Sequence, residues 1–248
     1  MKRNNLFLLT ALAMQVSVTP ALAGVADYVY TPIVEEGERE IDFKYGNGKQ
    51  SDGTRAQVST IGYGYGATNY WFTELYYKRE IANPERLSLA EWENKFQLTE
   101  KGKYPVDLGF LIEIEAPFKN SKAPFELKLG PLLQTEFGKI QLNGNILFER
   151  KFGRESEDEK HVTEAGYQWQ VKYRWKKEFE YGMQGMGDLG EWDNWAKSNE
   201  QNHRLGPAIF GKFSLAPKQA LKYNTAWLFG LTDAAPNNTF RMQLEYEF

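Results

Sequence analysis

Large apolar residues alternate with polar ones along most of the chain, most sharply at its end. From Phe240 through Arg241, Met242, Gln243, Leu244, Glu245, Tyr246 and Glu247 to Phe248, even positions are large and apolar and odd positions are charged or amide. A period of two sends successive side chains to opposite faces of a β-strand. The same rhythm predicts twelve strands, over residues 38–46, 54–66, 70–80, 87–99, 105–115, 124–136, 140–150, 164–175, 179–188, 204–214, 219–231 and 239–248. Strands of roughly 9 to 13 residues are long enough to cross a bilayer at a tilt.

The faces separate cleanly. Val106, Leu108, Phe110, Ile112 and Ile114 share one side of their strand; Asp107, Gly109, Leu111, Glu113 and Glu115 share the other. Tyr167, Trp169, Val171, Tyr173 and Trp175 alternate in the same way with Gln168, Gln170, Lys172 and Arg174. Turning the polar face outward in a membrane would place Lys172 and Glu113 in hydrocarbon, at about 2–4 kcal/mol for a midplane Arg or Lys and less for Glu. The apolar face therefore points to lipid and the polar face to a lumen. Short connections at 67–69, 101–103, 137–139, 176–178 and 216–218 are expected to alternate with longer ones at 47–53, 81–86, 117–123, 151–163, 189–203 and 232–238. Short periplasmic turns and longer external loops make this rhythm in outer-membrane barrels. A secreted β-sandwich or lipocalin-like barrel would turn its apolar face inward. Pro131 and Pro207 fall inside strands, where a missing ladder donor predicts either bulges or strand bounds different from those above.

The C-terminal run resembles the assembly signal of bacterial outer-membrane β-barrels, carried here by Phe240, Met242, Leu244, Tyr246 and the terminal Phe248. The resemblance implies an all-β, antiparallel up-and-down transmembrane barrel in the outer membrane of a Gram-negative bacterium. It also implies the barrel assembly machinery, outer-membrane lipids and lipopolysaccharide as partners. At the other end, Lys2 and Arg3, an apolar stretch from Leu6 to Val18 and the sequence Ala21-Leu22-Ala23 predict a signal peptide over residues 1–23. Residues 24–37, with Pro32, read as a periplasmic leader, and residues 38–248 as the barrel.

Composition changes this picture little. Mean hydropathy is −0.59, because each barrel strand offers only half its residues to lipid. Aromatics reach 15%, with 14 Tyr and 7 Trp, a supply suited to interfacial girdles. Tyr65, Tyr70, Trp71, Tyr104, Phe137, Trp175, Phe179, Phe213 and Phe248 are predicted to form one at the periplasmic side. The chain has no Cys, which fits passage through an oxidising compartment. After removal of Lys2 and Arg3, 28 basic residues face 33 acidic ones, which argues against nucleic acid as a partner.

Catalytic chemistry finds little support. The two histidines, His161 and His203, lie in or beside predicted external loops, without the Ser or Asp neighbours of known barrel enzymes. No transition-metal site, cofactor or enzyme activity is expected. The longest loop carries Trp192 and Trp195 among acids, as a contact for sugars or cations or as a loop folded on itself. The acidic run within 154–160 suits divalent cations bridging lipopolysaccharide, or a solvated loop.

The lumen carries more. Glu74, Glu91, Glu93, Asp107, Glu113, Glu115, Glu126 and Glu149 face in from one side, and Lys172, Arg174, Lys212, Lys222 and Arg241 from the other. Two opposed charged walls would orient small polar solutes in a narrow passive channel, or pair to close the barrel as an envelope or surface structure. An outer-leaflet enzyme is the remaining alternative. Inward Phe72, Leu111, Leu147, Met186, Phe210 and Leu228 would pack a plug or wet an apolar solute.

Overall fold

The structure, a computed structural model, describes residues 24–50, 52–82, 84–118, 123–153 and 162–248. The acidic run at 154–160 and His161 lie outside the described residues. The strands are β1 (Arg39–Lys49), β2 (Arg55–Thr68), β3 (Trp71–Ala82), β4 (Glu85–Gln97), β5 (Asp107–Pro117), β6 (Phe125–Phe137) and β7 (Ile140–Phe152). They continue as β8 (Thr163–Lys176), β9 (Phe179–Glu191), β10 (Asn194–Trp195), β11 (Asn202–Ala216), β12 (Gln219–Gly230) and β13 (Asn238–Glu247). β10 only extends β9. The other twelve pair antiparallel with their neighbours, β13 with β1 and β8 with β9, so the sheet closes into a twelve-stranded barrel.

Alternation decides the faces as expected. Glu40, Asp42 and Lys44 of β1 are buried while Ile41 and Phe43 are exposed. Ile61, Leu75, Trp92, Ile114, Ile146 and Phe229 are among the exposed large side chains, an apolar outer surface that belongs in lipid. All nine aromatics of the predicted girdle are exposed. Most of them cluster where β2–β3, β6–β7, β8–β9 and β11–β12 turn, the end that also holds the start of β1 and the end of β13. Barrels of this class face that end to the periplasm.

Several expectations are corrected. The connection at 81–86 is a tight hairpin, because the ladder continues through Ile81–Arg86 and Ala82–Glu85. The turn at 101–103 is the middle of a longer excursion from Leu98 to Val106, closed by Gly102 N–H donating to Asp107 Oδ1 at 2.7 Å. His203 belongs to β11, where Tyr167 OH and His203 Nδ1 lie 2.9 Å apart and His203 Nε2 meets Gln201 Oε1 at 2.7 Å. Neither proline makes a bulge. β6 keeps one register against β7 through Leu129–Phe148 and Leu132–Asn145, with pairing lapsing only at Gly130-Pro131. β11 does the same against β12 at Gly206-Pro207. Each preceding glycine lets the strands close over the missing donor: a Cβ at Gly130 would lie 1.9 Å from the Ile146 carbonyl oxygen. The largest correction concerns residues 24–37. They run inside the barrel, from the loop end to the turn end, where Gly37 N–H donates to the Gly66 carbonyl at 2.8 Å.

The last strand closes the barrel through Phe43–Leu244 and Tyr45–Met242, and Phe248 N–H donates to the Arg39 carbonyl at 2.9 Å. Deleting Phe248 is expected to cut the yield of assembled, heat-modifiable protein in the membrane several-fold. Normal yield would show that the terminal aromatic is not read during assembly.

Candidate functional site

The lumen is where this sequence concentrates its chemistry. Its most ordered feature is a row of carboxylates fixed by strand register. Glu247 of β13 pairs with Glu40 of β1, Glu40 with Gly64 of β2, Gly64 with Glu74 of β3, Glu74 with Glu93 of β4, and Glu93 with Glu113 of β5. The row ends on Lys128 of β6. Five glutamates thus point inward side by side, and inward charges of one sign need partners.

Lysines from neighbouring strands supply most of them. Lys128 Nζ lies 2.9 Å from Glu113, and Lys78 Nζ 2.7 Å from Glu115 and 3.0 Å from Glu80. Lys44 Nζ sits 3.5 Å from Asp42 and 3.9 Å from Glu93, stacked between the rings of Tyr28 and Tyr76 at 4.0 and 3.7 Å, a cation–π sandwich. Lys222 bridges Glu38, Glu245 and Glu247, Lys212 also meets Glu247, and Lys172 meets Glu180. Arg174 meets Glu136 at 2.5 Å. Among the described residues these pairs join side chains of the same or nearby strands, so each charged wall largely neutralises itself. Two carboxylate trios, Glu38/Glu40/Glu247 and Glu91/Glu93/Glu113, come close enough to share a cation, and these lysines already stand among them. Glu126 and Glu149 also face in, on the paired β6 and β7. Glu74 is 1% exposed, and among the described residues neither of its carboxylate oxygens has a hydrogen-bond partner.

Opposite the glutamates, amides line the wall. Gln134, Gln141, Asn143, Gln170, Gln184 and Asn224 form a hydrogen-bonded chain across β6–β9 and β12. It ends on Arg241, whose Nε donates to Gln184 Oε1 at 3.1 Å and whose Nη2 donates to Asn224 Oδ1 at 2.8 Å. Arg241 is 1% exposed and its charge is held by amide oxygens; among the described residues no carboxylate is bonded to it. The inward placement of these amides is written in the strand alternation; their linkage depends on register, which the sequence does not spell out.

Residues 24–37 fill the space between these walls. Tyr28 OH donates to Glu93 Oε2 at 2.8 Å, and Tyr30 OH to Glu113 Oε2 at 2.8 Å. Two residues apart on an extended chain, the phenols project to one side. Val29 projects to the other and joins Met186, Ala208, Phe210, Ala226 and Leu228. Leu111, Leu132 and Leu147 pack on the two tyrosines. The inward apolar residues therefore pack a plug, with Phe72 and Phe210 also reaching open space. Room for the segment comes from inward glycines. A Cβ on Gly46 would lie 2.0 Å from the Val25 carbonyl oxygen, one on Gly66 1.9 Å from that of Glu35, and one on Gly109 2.7 Å from Pro32.

The segment divides the lumen unequally. Around Tyr28, Lys44, Lys78, Glu113 and Lys128 only about 20 Å³ stays open. Toward the turn end a vestibule of about 620 Å³ remains, lined by Lys172, Arg174, Lys212, Lys222, Phe72 and Phe210 among others, by Lys176 at the end of β8, and by Lys101 and Lys177 of the turns. Eight Lys or Arg and five Glu line it. Burial, and then a hydrogen bond shared with Glu247, push the Glu38 carboxyl at its edge up to about 7, against the opposing pull of Lys222. Trp192 and Trp195 lie apart, 56% and 62% exposed on the small β9–β10 hairpin beyond the barrel wall.

No family model and no curated protein matches the chain. Solved structures do match its fold. The NanC porin superposes with a TM-score of 0.53 at 12% identity, over 85% of this chain and 98% of that one. An outer-membrane channel from Pseudomonas putida F1 gives 0.53 at 14% identity, over 89% and 97%. The translocator domain of the autotransporter NalP from Neisseria meningitidis gives 0.52 at 9% identity, over 86% and 88%. The fold is that of outer-membrane β-barrels.

Gln184 is fully buried and accepts from Arg241. Gln184→Leu is expected to leave the guanidinium short of acceptors and to lower unfolding stability by about 2–3 kcal/mol. An unchanged urea midpoint for the refolded barrel would contradict this account of the amide chain.

Proposed function

We propose that the protein is an outer-membrane channel for small solutes, passive and narrow, with a periplasmic vestibule that favours anions. The observation that carries this reading is the vestibule itself: about 620 Å³ of open lumen with more Lys and Arg than Glu on its walls. Low-dielectric walls focus the field of such a surplus onto whatever enters. Lipid and lipopolysaccharide would surround the barrel, the assembly machinery would insert it, and no chemistry beyond passage is assigned to it.

A second reading has its own observation. With residues 24–37 in place, the cavity around Tyr28, Lys44, Lys78 and Lys128 keeps only about 20 Å³, as a closed envelope barrel would require. Planar-bilayer recordings separate the two. The channel reading expects discrete conductance from wild type; the closed reading expects silence.

Two selectivity tests follow. Neutralising Lys172, Arg174 and Lys222 together is expected to move the reversal potential in a salt gradient toward cations, with a smaller shift at high salt as screening shortens each charge's reach. An unchanged reversal potential would remove the vestibule from the conduction path. Lowering the pH through about 7 should protonate Glu38, remove a negative charge beside Lys222 and strengthen anion preference. In Glu38→Gln this pH response should weaken; if it persists unchanged, another group sets it.

A further inference from the structure

We infer that the lumen groove running from the loop end to the vestibule is a binding site for an extended peptide strand, and that residues 24–34 are its exchangeable resident. This goes beyond the channel reading and stands whether or not the barrel conducts.

The contacts are those of a ligand in a groove. Among the described residues, 24–34 take part in no strand ladder and no backbone–backbone hydrogen bond; the first such bonds come at Glu35 and Gly37. Wall side chains hold the main chain instead. Arg204 Nη1 donates to the Gly24 carbonyl at 2.9 Å and Asn145 Nδ2 to the Tyr30 carbonyl at 3.2 Å, while Val34 N–H donates to Gln97 Oε1 at 2.8 Å. Any extended peptide offers these groups. Side-chain recognition is added by Glu93 and Glu113, which accept hydroxyl donors two residues apart, and by the apolar pocket of Val29 on the opposite face. Gly46 and Gly109 leave the groove its depth. An exit lies beside it: Tyr28, Val29, Thr31 and Ile33 already border the vestibule. The ligand class is thus an extended peptide with hydrogen-bond donors at alternate positions and a small apolar residue between them.

The test uses the full chain carrying Tyr28→Ala and Tyr30→Ala, which loosens the resident and leaves the wall intact. A fluorescent synthetic peptide spanning residues 24–37 is added to the refolded protein, and anisotropy reports binding. Saturable binding is expected, at least about tenfold tighter than for a peptide with both tyrosines replaced by phenylalanine, since hydrogen bonds to charged acceptors are lost. Binding to wild type should be weaker, because the resident competes. A second variant, Gly46→Leu, keeps the tyrosines but fills the space of the Val25 carbonyl. Chymotrypsin should then cut at Tyr28 or Tyr30 in a barrel that remains heat-modifiable. Failure of the peptide to bind the alanine variant, equal binding of the phenylalanine peptide, or a segment that stays uncut in Gly46→Leu would each overturn the inference. Conductance recorded on the same samples judges the channel reading separately.

Discussion

Closure of the backbone ladder is the constraint on which everything else here depends. In hydrocarbon no water is available to an unpaired N–H or C=O, so a sheet must meet its own edge. The β13–β1 ladder makes that closure, from Glu40–Glu247 to Lys49–Asn238. Once the ring is closed, a period of two leaves each strand no choice: one set of side chains meets lipid and the other meets the lumen. The same demand explains the two Gly-Pro pairs. Each proline lacks a donor, yet register is kept on both sides because the glycine before it lets the neighbouring strand approach.

Closure also gathers charge. Register alone brings Glu247, Glu40, Glu74, Glu93 and Glu113 into one row, and the surrounding lysines and the tyrosines of the N-terminal segment answer it. Breaking one partner of a buried pair costs far more than the pair contributes in net stability. The outer half of the lumen is therefore a tightly coupled polar core, while the vestibule keeps paired charges beside open space. The N-terminal segment divides the filled part of the lumen from the open vestibule.

The barrel was legible because alternation is local: Phe240 to Phe248 declares a lipid face without reference to any other strand. The lumen-facing identity of Glu93, Glu113, Lys172 and Arg241 followed from the same rule. What was not legible required knowing which residues stand opposite which. The glutamate row, the amide chain ending on Arg241 and the local pairing of Lys78 with Glu115 are products of register. The tight hairpin after Ala82 was hidden because Pro84 resembles a loop signal. Residues 24–37 read as a leader because Pro32 and Gly37 interrupt any strand pattern, and a segment held by side chains has no ladder partner to betray it. Two signals pointed the other way: inward Gly46, Gly66 and Gly109 on walls otherwise rich in Glu and Gln, and inward Leu111, Leu147 and Leu228, which must pack against something.

The most direct test of the account asks where residues 24–37 are in the folded protein. The chain has no cysteine, so a single Val25→Cys reports on its own position without background. Val25 is 3% exposed, against Ala26, Ala56 and Val58 inside the barrel. In folded protein reconstituted into lipid, this thiol is predicted to resist a water-soluble maleimide until the barrel is unfolded. A cysteine placed at Lys177, in the β8–β9 turn, should label at once. Equal labelling rates at the two positions would put the segment outside the barrel and contradict the account.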